Sequence, residues 1–130
     1  MKLLRGGKGM FVFARIIVIL VGLICFFIMW LEMFSWEKSG KKFFPEPEPG
    51  YFHKTVSMAA NQGLYNGFLG AGMIWSAFMG NKGSAVSTAV FFLACMIIAG
   101  IYGAVTVKKG ILIKQTAPAA VALAIVLLAG

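Results

Sequence analysis

Four long apolar runs separated by polar breaks constrain this chain more than any other feature. A helix rises about 1.5 Å per residue, so about 20 apolar residues cross the roughly 30 Å hydrocarbon layer of a bilayer. Backbone amides and carbonyls find no partners in hydrocarbon, and a helix satisfies them internally. The runs predict spans at 10–34, 55–79, 84–107 and 115–130. The chain has 130 residues, 60% hydrophobic and only 12% charged, with a mean hydropathy of +0.88. One small soluble core cannot hide that much apolar surface. The fold class that follows is an all-α membrane protein, an up-and-down four-helix transmembrane bundle forming a single four-span domain over 1–130.

The breaks between the runs set the connectivity. Residues 37–53, "EKSGKKFFPEPEPGYFH", form the one substantial loop expected, because the prolines of "PEPEPG" lack an amide donor and restrict the residues before them. Phe43, Phe44, Tyr51 and Phe52 make that loop a candidate to cap the bundle or lie at the headgroup boundary. "GNKG" and "KKGILIK" are short, so consecutive helices should be antiparallel neighbours. The N-terminal run continues into "MWLEMFSW" without a small-residue cleavage site, so it is expected to stay as a helix and not to act as a signal peptide. A multi-pass protein of a cell membrane, bacterial inner or plasma membrane, is the resulting localisation.

The net charge of +8 does not indicate a nucleic-acid partner, because the basic residues lie at the ends of apolar runs, where they meet lipid headgroups. Lys2, Arg5, Lys8, Arg15 and Lys82 share one side of the four-span topology. Lys38, Lys41, Lys42, Lys54, Lys108, Lys109 and Lys114 share the other, a balance too even to set the orientation.

Antiparallel threading places most polar side chains of the spans in one half of the bilayer. These are Glu32, Asn61, Gln62, Tyr65, Asn66, Tyr102, Thr106, Gln115 and Thr116. The second run packs four of them into "NQGLYN". On a helical wheel Asn61, Gln62, Tyr65 and Asn66 are assigned to one arc, and Gly63, Gly67, Gly70 and Ala71 to another. The small residues Gly63, Gly67, Ala71, Ala99 and Gly103 are read as helix-packing positions on which a neighbouring backbone approaches closely. Interhelical hydrogen bonds contribute only about 0.6 to 2 kcal/mol each, so glue alone hardly requires four polar residues within six positions. A polar pocket lined by Glu32, Asn61, Gln62, Tyr65, Asn66, Tyr102, Thr106 and Gln115 is the sharper reading.

Glu32 is central to it. Arg15 lies roughly 25 Å away along the same helix and cannot neutralise it, whereas Lys54, Lys108 or Lys114 could. Turned inward, Glu32 could carry a proton, act as a general acid or base, or anchor a cationic ligand.

Several chemistries are excluded. His53 is the only histidine, so no two-histidine haem or His-Cys metal site can form within one chain, and neither a metal nor a cofactor is expected. Cys25 and Cys95 sit in separate apolar runs without C-x-x-C spacing and read as packing residues. The glycines from Gly63 to Gly72 lack the Lys-Ser/Thr pair and preceding strand of a phosphate loop, and no nucleophile triad is present. No catalytic residue is assigned, and the reading leans away from an enzyme.

"LEMFSW" (Leu31 to Trp36), "AANQGLYNGFLGAG" (Ala59 to Gly72), "AGIYGAVTV" (Ala99 to Val107) and "QTAPAAVAL" (Gln115 to Leu123) together resemble domain-of-unknown-function family 1304, small four-span bacterial membrane proteins. The resemblance covers nearly the whole chain in order, and departs from the family pattern "NQGLYNGFLAAG" at Gly70. It implies the four-span fold and the same choice of residues but no reaction. The expected function is therefore binding of a small amphipathic molecule or lipid headgroup in a one-sided intramembrane pocket. The alternatives are a small proton-coupled transporter using Glu32, working as a homodimer, or an accessory subunit with a membrane-protein partner.

Overall fold

A computed structural model describes residues 8–106 and 109–130, with the side chains of 109–114 excepted. Every regular element among these residues is a helix: α1 (Lys8–Phe34), α2 (Trp36–Phe43), α3 (Tyr51–Lys54), α4 (Val56–Ala77), α5 (Lys82–Thr106) and α6 (Lys109–Ala129). The long helices close a ring in which α1 packs most extensively on α4, α5 on α6, α4 on α5 and α6 on α1.

The inner stripe of α1 is Ala14, Val18, Val21 and Cys25, spaced by three and four residues as one helical face requires. It meets Met73 and Ala77 of α4, Leu93 and Met96 of α5, and Ala122 and Val126 of α6, all buried. The outer face of α1 is as apolar as the inner one, with Phe13, Ile16, Leu20, Phe27 and Trp30 exposed. A helix that is hydrophobic all round belongs in a membrane or in the core of a large protein. By length and composition α1 and α5 are apolar enough to cross a membrane, and Gln115–Ala129 is a shorter apolar segment. Among the described residues two of the four expected spans thus meet the requirement. The amides and glycines of α4 dilute its hydropathy.

Glycines set the α1–α4 contact. A Cβ on Gly70 would come within 2.8 Å of the Gly22 carbonyl oxygen and 3.1 Å of the Cys25 Cβ, and one on Gly22 within 3.2 Å of the Gly70 carbonyl oxygen. Both obstacles are or adjoin backbone, so the helices can approach this closely only without side chains. Gly63 lies against Met29, Glu32 and Met33, and Gly67 against Met29. Ala71, expected on this seam, is exposed instead. A step of about 100° per residue carries it past the contact.

At one end of the ring Arg15 donates hydrogen bonds to the carbonyl oxygens of Ala77 and, at 2.8 Å, Met79. Ala77 is the last residue of α4 and Met79 lies two residues beyond it, so a cation from α1 completes the helix end. The same guanidinium lies 4.5 Å from the centre of the Phe11 ring. The Asn81 side chain accepts a 2.9 Å bond from the Ser84 amide and starts α5 two residues earlier than the sequence predicts.

Two connections differ from expectation. Residues 37–53 are not one loop: α2 runs through Phe43, α3 begins at Tyr51, and the irregular part is confined to the proline-rich stretch. Glu37 in the first turn of α2 and Lys41 and Lys42 in its last complement the helix dipole. Gly50 takes a left-handed φ of 78° before α3. The expected "KKGILIK" connection is largely helical, because α6 begins at Lys109 and a single Gly110 does not interrupt it. Lys2, Arg5, Val107 and Lys108 lie outside the described residues, as do the side chains of Lys109 and Lys114.

The glycine seam makes a direct prediction. Gly70→Ala should force α1 and α4 apart and lower stability by about 1–3 kcal/mol, whereas Gly80→Ala, with nothing within 4 Å of the added Cβ, should be near neutral. Unfolding of both variants in mild detergent distinguishes them; equal stabilities would show that the seam does not need its glycines.

Candidate functional site

Glu32 follows Cys25 by seven residues and therefore continues the buried stripe of α1. Only 2% of its surface is exposed. The glycine seam brings α4 close enough for Asn66, itself 8% exposed, to donate from Nδ2 to Glu32 Oε1 at 2.7 Å. The Asn66 Oδ1 accepts from Gln115 Nε2 of α6 at 3.1 Å. A longer 3.4 Å contact joins Asn66 Nδ2 to the Gln62 carbonyl oxygen. Three helices are thus tied by one polar chain running from Gln115 through Asn66 to Glu32.

The chain borders a cavity of about 470 Å³ between α4 and α5, closed on one side by the segment that follows α1. Glu32, Gln62, Tyr65, Asn66, Tyr102, Thr106 and Gln115 all line it, so seven of the eight residues named from the sequence converge. Tyr65 and Tyr102 are 61% and 70% exposed and stand at its rim. The Thr106 hydroxyl donates back to the Tyr102 carbonyl at 2.8 Å.

Asn61 is the exception: it is exposed and not part of the wall. Asn66 lies about 140° around the helix from Asn61 but only about 40° from Gly70. The two arcs assigned from the wheel are therefore not separate, because Asn66 borders the glycine face and is buried for that reason. Ala99 and Gly103 also differ from their assignment as packing positions. They line the cavity together with Gly100, and none of the three carries side-chain atoms beyond Cβ.

The segment from Trp36 to Thr55 supplies a wall, of which the sequence offered Phe44 and Tyr51 as capping aromatics but did not single out Trp36. Trp36 packs with Phe44 and Phe52 at ring-centre distances of 5.0 Å each, and Tyr51 packs on Phe52 at 5.2 Å. Gly40 makes room for the Phe52 ring, which an added Cβ would approach to 2.7 Å. The Trp36 Nε1 donates to the Thr55 hydroxyl at 2.8 Å, and that hydroxyl donates to the Tyr51 carbonyl at 2.7 Å. Trp36, Phe44, Pro45, Tyr51 and Thr55 face the cavity. Of the aromatics expected to cap the helices, Phe43 is exposed and packs on Phe27. The position of Trp36 four residues after Glu32 was the available signal, since a helical continuation places both on one side.

Glu32 forms no ion pair among the described residues. Lys54, a candidate partner, lies 3.6 Å from Glu48 instead, because Glu48 and Lys54 both belong to the exposed turn around α3. Lys41 approaches Glu46 at 3.9 Å, and the exposed His53 ring lies 3.0 Å from Glu37. Lys108 and the Lys114 side chain, the other candidates, lie outside the described residues. Among the described residues no three His, Cys, Asp or Glu side chains come together as metal ligands. Cys25 is buried with its sulfur 3.6 Å from that of Met96, a packing contact.

A model of the family described as protein of unknown function (DUF1304) matches residues 19–127, a range that contains every residue lining the cavity. The chain is similar to the uncharacterised protein YpaA of Lactococcus lactis subsp. lactis (strain IL1403), with 31% identity over 110 residues that cover 83% of this chain and 91% of that protein. No solved structure matches the chain.

The polar chain predicts an asymmetry among variants. Asn66→Leu leaves the Glu32 carboxylate buried without its donor and should lower stability by about 1–3 kcal/mol, while Asn61→Leu should change it by less than about 0.5 kcal/mol. The double variant Glu32→Leu/Asn66→Leu should recover much of the loss, because replacing both partners removes the stranded polar group. Additive losses in a double-mutant cycle would show that the two residues do not act on each other.

Proposed function

We propose, for a chain that belongs to the DUF1304 family of proteins of unknown function, that it is a four-span protein of a cell membrane that binds the polar end of a small amphipathic molecule or lipid. The observation that carries this reading is the Gln115–Asn66–Glu32 chain exposed to a cavity of about 470 Å³. That volume lies in the range of small-molecule sites, which are mostly apolar with a few convergent polar groups. A buried polar network that only held helices together would gain nothing from bordering an open space.

The rim supports an amphipathic occupant. Tyr65 and Tyr102 flank the opening between α4 and α5, and Phe68, Ile98 and Ile101 continue outward from it as exposed apolar groups. A headgroup could therefore sit inside while its chain stays among lipid. Beyond the cavity Met73, Leu93 and Met96 are fully buried at the level of Cys25, and at the far end of the ring Arg15 is spent on the end of α4. This packing favours binding from one side over passage through the protein, and so favours a binding protein over a proton-coupled transporter.

Native mass spectrometry of the protein purified in mild detergent tests the reading. Wild type and Asn61→Ala should retain the same bound mass, and Asn66→Leu should retain about tenfold less, a loss of about 1.4 kcal/mol in binding. Equal retention in all three, or none in wild type, would overturn the proposal.

A further inference from the structure

The electrostatics of the cavity point to one class of headgroup, an inference that rests on the binding reading above. Among the described residues that line it, Glu32 is the only acid and no Lys, Arg or His takes part. Among the described cations, Lys54 is engaged with Glu48, Lys41 with Glu46 and His53 with Glu37. The hydrogen-bond chain also has a fixed polarity. An ionised carboxylate only accepts, so Asn66 must present its amide N–H to Oε1 and offer its own oxygen to the Gln115 N–H. Every donor in the chain points toward Glu32, and among the described residues none reaches Oε2.

A carboxyl group taken out of bulk water stays ionised only beside a counter-charge. Among the described lining residues an anionic headgroup would meet the Glu32 carboxylate, neutral polar groups and aromatic rings, and no cation. The aromatic wall instead suits a cation, because the negative face of a Trp or Tyr ring attracts ammonium groups, quaternary ones included. Trp36, Tyr51, Tyr65 and Tyr102 all line the space that Glu32 borders.

We propose that the cavity takes the ammonium group of an amphiphile, with the positive centre against Glu32 among Trp36, Tyr51 and Tyr102 and the alkyl chain leaving past Tyr65 between α4 and α5. The ammonium can belong to a cationic lipophilic amine or to a zwitterionic lipid headgroup. An uncharged or purely anionic amphiphile of the same chain length lacks the group that the site selects.

Native mass spectrometry of the full chain from neutral maltoside micelles tests this with four probes of equal chain length: dodecyltrimethylammonium, dodecylphosphocholine, dodecyl glucoside and dodecyl sulfate. Wild type should retain dodecyltrimethylammonium about tenfold more than the glucoside or sulfate. Glu32→Gln, which keeps the shape of the side chain, should erase that preference, and Tyr102→Leu at the exposed rim should reduce it severalfold. Retention of dodecylphosphocholine alongside the ammonium probe identifies a zwitterionic headgroup as an acceptable source, and its exclusion identifies a free amine. Equal retention of glucoside and ammonium probes, or a preference that survives Glu32→Gln, overturns the ammonium assignment. In that case retention of the glucoside that is lost in Asn66→Leu leaves the binding reading standing. Failure of wild type to retain any of the four removes both.

Discussion

The close approach of α1 and α4 is the contact on which the rest of the structure depends. Gly22 and Gly70 let two backbones meet where any side chain would collide with a carbonyl oxygen. Between helices that are apolar on their outer faces as well, close packing of this kind and a few hydrogen bonds set which faces meet. The same seam, two turns further along, places Gly63 against the stem of Glu32 and Asn66 against its carboxylate. The glycines therefore do two things with one geometry: they join the helices, and they bring a donor within 2.7 Å of a largely buried carboxylate.

The ends of the ring are finished by different chemistry. At one end Arg15 closes the carbonyls at the end of α4, and the core between it and the cavity is filled by Met73, Leu93 and Met96. At the other end the chain leaves α1 through α2, turns at the prolines and returns through α3, laying Trp36, Phe44 and Tyr51 over the space between α4 and α5. Small residues at Ala99, Gly100 and Gly103 keep that space open from the α5 side. One end is thus packed and capped, while the other keeps a cavity with a polar chain on its wall.

Much of this could be read from residue types and spacing. The places of α1, α4 and α5 followed from apolar run length, since runs of about 20 apolar residues read as helices. The convergence of Glu32, Gln62, Tyr65, Asn66, Tyr102, Thr106 and Gln115 followed from antiparallel threading, which needs only that neighbouring helices run in opposite directions. The burial of Glu32 was implicit in its spacing from Cys25. The early start of α6 and the helix within 37–53 were not legible, because isolated glycines and charged residues are compatible with both loop and helix.

By itself the sequence determined the helices, their order and the end of the molecule at which polar groups collect, because these depend on hydropathy and on a period of 3.6 residues. Only the tertiary structure decided which of those groups act together. Asn61 and Asn66 are the same residue type five positions apart, yet one is exposed and the other is buried against Glu32. Likewise Gly70 and Gly103 are both small, yet one closes a helix contact and the other leaves a cavity open. The physical reason is that a wheel gives angles on one helix, whereas burial, hydrogen bonding and empty volume depend on which neighbour stands opposite and how near it comes.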